Sequence, residues 1–248
     1  MKRPLFFGIC FVWNVELLTI FPDIFQSFLK TSLVGKAVTR GLLTATVTDI
    51  RDFAAAPHYK VDDSPYGGGA GMVMLPEPLV KAVEAAKSRL PNAPVILLSP
   101  AGQRLTQAKA AELSQTDSII FVCGRYEGVD QRVIDLVVDQ EISIGDFVVM
   151  GGEVPAMLVI EACLRLRPDV IHNSESTHQE SFSPALGDGS GDGTLVEAPQ
   201  YTRPEEFRGL RVPDTLLSGN HASIAKWRFS EAKLKTATLK ASKEKPRE

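Results

Sequence analysis

The segment SIGDFVVMGGEVPAML, residues 143–158, places three glycines and a proline around a short apolar run. Glycine tolerates backbone conformations and close approaches that a Cβ atom excludes. The segment therefore predicts either a tight turn or a place where a bound molecule lies against the main chain. It runs from an expected strand into an expected helix, and ligands of open parallel sheets bind just beyond the carboxyl ends of strands.

Two other loops have the same character. SPAGQRLT at 99–106 follows the apolar run PVILL, and CGRYEGVDQR at 123–132 follows SIIFV. If the strands are parallel, all three loops meet at one edge of the sheet and expose backbone N–H and C=O groups there. The expected apolar walls are Leu97, Leu98, Ile144 and Val149. Such a cleft can bind a nucleoside through main-chain hydrogen bonds.

A fourth glycine-rich stretch, YGGGAGM at 66–72, has a weaker claim to a ligand. The chain contains neither GxxxxGK[ST] nor a GxGxxG after its first strand, and no lysine follows this stretch. We therefore favour a turn over a phosphate cradle.

The cysteines exclude other kinds of site. Cys10, Cys123 and Cys163 are odd in number and lie in apolar surroundings. This pattern argues against a disulfide framework and fits a reducing compartment. No cysteine or histidine pair has the spacing of a zinc site, so no metal ligand is predicted.

The N-terminus suggests two locations. Lys2 and Arg3 precede PLFFGICFVW, and a basic start before an apolar run resembles a signal peptide. The run is too short to span a bilayer, and no small-residue cleavage pattern follows it. We expect a cytoplasmic protein with no membrane contact, and keep a secreted or membrane protein as the distant alternative.

Charge is distributed unevenly along the chain. Residues 201–248 contain eleven Lys or Arg and six Asp or Glu, a net of +5, whereas the remainder has a net of −8. A basic tail on an acidic body indicates a polyanionic partner for the tail, or simply a solvated helix end.

Short apolar runs alternate with helical patterns through the first two thirds of the chain. This alternation predicts crossover units and an α/β fold with a mostly parallel sheet covered on both faces. The expected strands are 14–21, 42–50, 94–99, 118–123 and 141–150. The expected helices are 22–34, 76–89, 106–114, 130–137 and 153–166.

The composition changes near residue 172. Residues 172–200 include SFSPALGDGSGDGT and read as a flexible linker or lid. After it, 201–248 predicts a small, basic, all-α domain whose last helix covers 220–240. The first domain is then 1–171.

Six motifs together resemble one known family. In this order, the chain carries VDDSPYGGGAGM, LLSPAGQ, VCGRYEGVDQRV, SIGDFVVMGGEVPAM, YTRP and LLSGNHASIAKWR. They resemble the bacterial tRNA (guanine-N1)-methyltransferases, members of the SPOUT methyltransferase class, over roughly residues 13–230. Several motifs are eight or more residues long, which makes a chance match a poor explanation.

The resemblance implies a fold and a cofactor. The sheet domain would contain a deep C-terminal trefoil knot, a rare exception among folds. The three loops would form that knot and bind S-adenosylmethionine, with the glycines of the third loop accommodating the adenosine. The implied cofactor residues are Leu97, Leu98, Ser99, Pro100, Gly124, Tyr126, Glu127, Gly128, Ser143, Ile144, Gly145, Asp146, Phe147, Val148, Val149, Gly151, Gly152 and Pro155. Family members are homodimers whose active sites lie at the subunit interface.

The resemblance also implies a reaction. The target is N1 of the guanosine immediately 3′ of the anticodon, and N1 must lose its proton before it attacks the methyl group. Glu180, in HQESF, matches the family's general base, and Arg165, in ACLRL, matches the arginine that stabilises charge on the guanine oxygen. The family more often has Asp at the base position. Glu175 and His178 are the rival bases.

tRNA contacts are implied for both ends of the chain. His58 and Asp62 fall in the stretch that resembles the guanine- and tRNA-contacting segment, although Asp62 is equally explained as a turn residue. Arg203, Lys226 and Arg228 would contact phosphates. The LGDGSGDG stretch makes the lid longer than usual for the family, and the C-terminal end is shorter. A divalent cation such as Mg²⁺ is compatible with the reaction but has no sequence signature here.

Two alternatives remain open. The first is another SPOUT enzyme that methylates a ribose 2′-hydroxyl or a different base, although it would not need VDDSPYGGG and YTRP together. The second is a catalytically silent RNA-binding protein, which would tolerate the loss of Glu180 and Arg165.

Overall fold

The computed structural model describes residues 12–172, 179–186 and 193–244, with only the backbone described at 243 and 244. The chain divides into two compact units, Met1–Ile171 and His172–Glu248. The apolar N-terminal run up to residue 11 lies outside the described residues, as do Glu175, His178 and most of LGDGSGDG. The predicted boundary between 172–200 and 201–248 falls inside the second unit and stays a prediction.

The first unit is an α/β layer structure. Its elements are β1 (Trp13–Thr19), α1 (Phe25–Lys30), α2 (Ser32–Thr39), β2 (Leu43–Asp49), β3 (Asp62–Asp63), β4 (Val73–Met74), α3 (Pro76–Arg89), β5 (Val95–Arg104), α4 (Gln107–Ser114), β6 (Ser118–Val122), α5 (Gln131–Val137), β7 (Gln140–Ser143) and α6 (Glu153–Leu164). Short 3₁₀ turns occur at Pro22–Ile24 and Ile50–Phe53. The main sheet has the strand order β2-β1-β6-β5-β7. All its pairs are parallel, which confirms the predicted α/β fold with a mostly parallel sheet; the trefoil knot stays a prediction.

Both faces of the sheet are buried. On one face, Val15, Leu17 and Phe121 pack with α1, α2, α4 and α6. On the other face, Leu18 and Ile120 pack with α3 and α5. Because neighbouring residues of each strand point to opposite faces, two covered faces require continuous apolar runs, which is the pattern in the sequence.

The predicted helix at 22–34 is interrupted. The 3₁₀ turn at Pro22–Ile24 leads into α1, which ends at Lys30. The extended backbone of Thr31 (φ −114°, ψ 152°) separates α1 from α2. Gly35 allows this corner, because a Cβ atom there would lie 2.4 Å from the carbonyl carbon of Lys30. Thr31 is neither proline nor glycine, so the apolar periodicity of the sequence predicted one continuous helix through this break.

The predicted strand at 141–150 is too long. β7 ends at Ser143, whose hydroxyl accepts a hydrogen bond from the Gly145 N–H over 3.2 Å and so turns the chain. The apolar residues beyond it, from Phe147 to Met150, are exposed rather than paired. They belong to the loop that lines the cavity described below.

β5 is longer than predicted and contains an irregularity. Leu98 and Gln103 both pair with Ile142 of β7, so the residues between them bulge out of the sheet. Gly102 permits this, because its Cβ atom would lie 2.4 Å from the backbone of Glu141 and Ile142. The bulge forms part of the loop after the buried segment of β5.

The longest element of the second unit is a helix. It contains β8 (Glu206–Phe207), β9 (Leu210–Arg211), α7 (Asp214–Leu217) and the long α8 (His221–Glu244). The antiparallel β8–β9 pair means that this part is not all-α, contrary to the prediction. Residues before β8 pack on α8, since the Val196 N–H donates to Thr236 Oγ1 over 3.0 Å. Within the described ranges, no helix is long and apolar enough to cross a membrane.

Candidate active site

Three loops of the first unit surround a cavity of about 340 Å³ at the carboxyl edge of the sheet. The first wall (97–101) begins at the end of the buried part of β5, the second wall (124–128) follows β6, and the third wall (143–152) begins at the last residue of β7. β5 lies between β6 and β7 in the sheet, so the three walls are neighbours. The cavity thus lies where the sequence predicted a ligand site.

Nearly all predicted cofactor residues line this cavity. Those that do are Leu97, Leu98, Ser99, Pro100, Gly124, Tyr126, Glu127, Gly128, Ser143, Ile144, Gly145, Phe147, Val148, Val149, Gly151, Gly152 and Pro155. Asp146 does not line it; its carboxylate is exposed and forms an ion pair with Arg104 over 3.3 Å. Cofactor binding by the lining residues stays a prediction.

Sequence reasoning missed several lining residues. Ala101, Arg125, Val129, Gln131, Ile134, Glu141, Ile142 and Met150 also line the cavity. Arg125 stands inside the GRYEG segment of the second loop, and Glu141 and Ile142 precede the third loop, so their positions carried a usable signal. Gln131, the first residue of α5, also lies inside the second loop as the sequence defined it (123–132), whereas nothing in the local pattern of Ile134 points to a site.

The second wall is held by the β3–β4 hairpin, which the sequence analysis did not predict. The Glu127 N–H donates to the Met72 carbonyl, and the Met74 N–H donates to the Gly128 carbonyl, each over 2.9 Å. Gly71 approaches Glu127 so closely that a Cβ atom there would lie 2.5 Å from its carboxylate oxygen. The YGGGAGM stretch therefore packs against a cavity wall in this structure.

Tyr126 occupies an unusual conformation in the second wall. Its φ of 61° lies in the left-handed region, which costs a non-glycine residue free energy unless the surroundings hold it. Burial raises the pKa of its hydroxyl, and the charge of Asp62 and a hydrogen bond to Asp62 raise that pKa further. Asp62 thus contacts a cavity-lining residue, while its predicted tRNA contact stays a prediction.

The glycines of the third wall have protein neighbours. A Cβ atom at Gly151 would lie 2.2 Å from Arg125 Nε, and one at Gly152 would lie 2.7 Å from the Cys123 Cα. The Gly152 N–H also donates to the Gly124 carbonyl over 2.9 Å. Both glycines line the cavity and also approach the second wall closely; their predicted approach to adenosine stays a prediction.

The two predicted catalytic residues belong to different units. Arg165 follows the last residue of α6 in the first unit and is half-buried. Glu180 belongs to the second unit, is 8% exposed, and lies in a turn closed by the Ser183 N–H and its own carbonyl over 3.1 Å. Their meeting in one active site stays a prediction, and the rival bases Glu175 and His178 lie outside the described residues.

The predicted tRNA contacts are mostly exposed. His58 lies in a turn of the first unit, and Arg203, Lys226 and Arg228 are exposed in the second. There Tyr201 and Trp227 pack their rings 6.3 Å apart, which fixes the YTRP motif against α8. Among the described residues, no group of three or more His, Cys, Asp or Glu is arranged to hold a metal ion.

Comparison with known proteins identifies relatives over most of the chain. Residues 13–243 match the profile of a family described as tRNA (Guanine-1)-methyltransferase TrmD. A tRNA (guanine-N(1)-)-methyltransferase of Anaeromyxobacter dehalogenans (strain 2CP-C) is 54% identical over 219 residues, 88% of this chain and 85% of that protein.

Proteins of the same name from other bacteria are nearly as similar. That of Myxococcus xanthus (strain DK1622) is 53% identical over 217 residues, 87% of this chain and 84% of that protein. That of Oceanobacillus iheyensis is 46% identical over 224 residues, 90% of this chain and 88% of that protein. The chain, with its three-loop cavity at the edge of a parallel sheet, belongs to the tRNA (guanine-1)-methyltransferase family.

Proposed function

We propose that this protein transfers a methyl group from S-adenosylmethionine to N1 of the guanosine immediately 3′ of the anticodon in tRNA. The observation that carries the proposal is the cavity between the three loops, lined by nearly all the residues that the family resemblance assigns to the methyl donor. Membership in a tRNA (guanine-1)-methyltransferase family supplies the substrate class and the reaction.

The cavity fits a methyl donor of this kind. Its volume of about 340 Å³ is within the range of small-molecule sites, which are largely apolar with a few placed polar groups. Leu97 and Ile142 supply buried apolar surface for an adenine ring. Glu127 and Glu141 are among the lining residues, and their negative charges would complement the positive charges of the sulfonium and the amine.

The chain's own residues prepare the guanine. When bound, S-adenosylmethionine supplies a methyl group already activated by its sulfonium. Glu180 accepts the proton of guanine N1, a contribution of typically about 10²–10⁴-fold in rate. Arg165 stabilises the negative charge that develops on the guanine oxygen as that proton leaves. The remaining requirement is alignment, which the cavity walls provide.

We also propose the trefoil knot and a homodimer with active sites at its interface. The third wall and α6 expose apolar side chains beside the cavity: Phe147, Val148, Met150, Val154 and Leu158. Met150 is 90% exposed, and large exposed apolar side chains grouped within 147–158 are typical of an interaction surface. With a partner subunit on this face, Glu180 of one subunit would act at the cavity of the other.

The second unit is proposed to hold the tRNA. Arg203, Lys226 and Arg228 would contact phosphates, which position an RNA without reading its sequence. His58 and Asp62 would contact the anticodon region from the first unit. We further propose a cytoplasmic location, since Cys123 and Cys163 are free thiols.

The test is methyl transfer from labelled S-adenosylmethionine to unmodified tRNA transcripts. We expect label only in transcripts with guanosine, not adenosine, 3′ of the anticodon, and 1-methylguanosine as the product after digestion and mass spectrometry. A ribose-methylated product would establish the other SPOUT activity. No transfer, with tRNA still bound, would favour the silent RNA-binding protein. Parallel assays with Mg²⁺ and with a chelator decide the cation requirement.

A further inference from the structure

Glu153, a buried carboxylate beside the cavity, has no role in the chemistry proposed above. It is 0% exposed and lies in the first turn of α6, where the helix N-terminus favours a negative charge. Thr19 Oγ1 donates a hydrogen bond to its Oε1, and Arg125 Nε donates one to its Oε2, each over 2.8 Å. Both carboxylate oxygens are therefore satisfied by side chains from other elements. We call Thr19, Arg125 and Glu153 the Glu153 cluster.

The Glu153 cluster joins three elements at the carboxyl edge of the sheet. Thr19 ends β1, and its hydroxyl also accepts a hydrogen bond from the Phe21 N–H over 2.9 Å. The Arg125 guanidinium lies over the Phe21 ring, 4.6 Å from its centroid, and donates to the Met150 carbonyl over 3.4 Å. Arg125 thus contacts the segment after β1, the start of α6 and the third wall at once.

The position of the cluster relates it to the two cavity walls. Arg125 lies within the second wall, and Glu153 directly follows Gly152 at the end of the third wall. Glu153 itself does not line the cavity. The ion pair therefore joins a residue of the second wall to the residue that directly follows the third wall.

The same first unit contains a chemically matched cluster elsewhere. Glu16 of β1 is 1% exposed, accepts a hydrogen bond from Thr48 Oγ1 over 2.7 Å, and pairs with Arg89 of α3. None of these three residues lines the cavity. A substitution at Glu16 therefore shows the general effect of disrupting a buried ion pair, whereas one at Glu153 would in addition change the spacing of the walls.

We propose that the Glu153 cluster is a positioning device that fixes the second wall against the third and thereby sets the affinity for the methyl donor. This inference rests on the proposed function of the cavity. Thr19 and Glu153 act only through the walls and contact neither donor nor guanine, so they are positioning residues.

Calorimetric titration with S-adenosylmethionine tests the proposal on Glu153→Gln, with Glu16→Gln as the matched control. We expect Kd to rise at least about tenfold in Glu153→Gln, equivalent to about 1.4 kcal/mol, and to stay within about twofold of wild type in Glu16→Gln. Thr19→Val should raise Kd several-fold, and Thr19→Ser should restore it. In activity assays, KM for the donor should rise in Glu153→Gln while kcat at saturating donor stays close to wild type. An unchanged Kd in Glu153→Gln, or an equal rise in Glu16→Gln, overturns the proposal.

If wild type binds no S-adenosylmethionine, the proposed function is contradicted, but the contact between the walls is not. Amide hydrogen exchange, which needs no ligand, tests that contact separately. We expect Glu153→Gln to accelerate exchange in the second and third walls, including the Gly152 amide bonded to Gly124, and Glu16→Gln to leave those amides unchanged. Equal exchange in wild type and Glu153→Gln overturns the proposal.

Discussion

The Gly152 N–H donates to the carbonyl oxygen of Gly124 over 2.9 Å, which joins the second and third walls of the cavity through their main chains. The adjacent Gly151 lies under the Arg125 side chain. Two consecutive glycines therefore serve two different contacts, one with backbone and one with a side chain. This difference predicts different consequences for two otherwise similar substitutions.

Gly152→Ala should destabilise the fold. Its new Cβ atom would lie 2.7 Å from the Cα of Cys123, and neither backbone can move without disturbing the sheet edge. We expect a loss of about 1–3 kcal/mol in the free energy of unfolding, measured by urea titration. An alanine variant as stable as wild type would contradict the packing described here.

Gly151→Ala should destabilise the fold through a clash with the Arg125 side chain. The clash is with Arg125 Nε, so we expect a cost that shrinks when Arg125 is also replaced by alanine. The measurement is a double-mutant cycle on unfolding free energies. The same cost for Gly151→Ala in both backgrounds would show that Arg125 is not the obstacle.

The Glu180→Gln variant should be unable to accept the proton of guanine N1, although glutamine has nearly the shape of glutamate and still forms hydrogen bonds. We expect single-turnover methyl transfer to fall by about 10²–10⁴-fold with donor affinity unchanged. Glu180→Asp should retain most of the activity, because the family more often carries Asp there. Glu197→Gln is the matched control, since this carboxylate accepts hydrogen bonds from Ser181 in the same unit. Full activity in Glu180→Gln would assign the base to another residue.

Arg165→Lys should keep a positive charge and lose the planar fork of donors. We expect kcat to fall by about 10²–10³-fold, the range for loss of a charge-stabilising donor, with little change in tRNA affinity. Arg40→Lys is the control, because Arg40 donates to the Asp169 carbonyl over 2.6 Å on the surface. Wild-type kcat in the Arg165 variant would exclude it from the transition state.

Lys226→Ala and Arg228→Ala should each weaken tRNA binding in a salt-dependent way. Removal of a single phosphate contact should reduce the slope of log K against log salt concentration by about 1. Filter binding at several salt concentrations measures the slope. Lys81→Ala on α3, where Lys81 pairs with Glu77 over 2.7 Å, provides a surface lysine for comparison. A variant whose slope equals that of wild type would show that the substituted residue does not contact an RNA phosphate.

Cys163 should make stability fall at alkaline pH. Burial raises the pKa of its thiol from 9.0 to about 12. As the pH rises, the thiol ionises first in the unfolded state, which stabilises that state. The contribution of the buried neutral thiol to the free energy of unfolding is therefore complete below pH 9 and is lost as the pH rises from 9 towards 12. Relative to Cys163→Ala, wild type should lose about 1 kcal/mol between roughly pH 8 and pH 10. Val159→Ala, on the same helix without a titrating group, should show a constant difference from wild type.

Apolar runs in the sequence were sufficient to predict the parallel sheet and the three loops at its edge. They misled at 144–150, because Phe147, Val148 and Met150 are exposed and hydrophobicity alone does not distinguish a core strand from an apolar loop. β3 and β4 have two residues each, too few for any periodic signal. The pairing of Arg125 with Glu153 joins residues 28 positions apart, so only the folded chain reveals it.

The register of the central strands has a consequence for how the chain is made. Asn14 of β1 pairs with Ser118 of β6, and β1 lies between β2 and β6 in the sheet. At about 5–20 residues per second, a ribosome synthesises the roughly hundred residues between them in about 5–20 seconds. Throughout that interval, β1 has only β2 as a partner, and its other edge stays unpaired. Nascent chains should therefore be most vulnerable to aggregation before β6 leaves the ribosome.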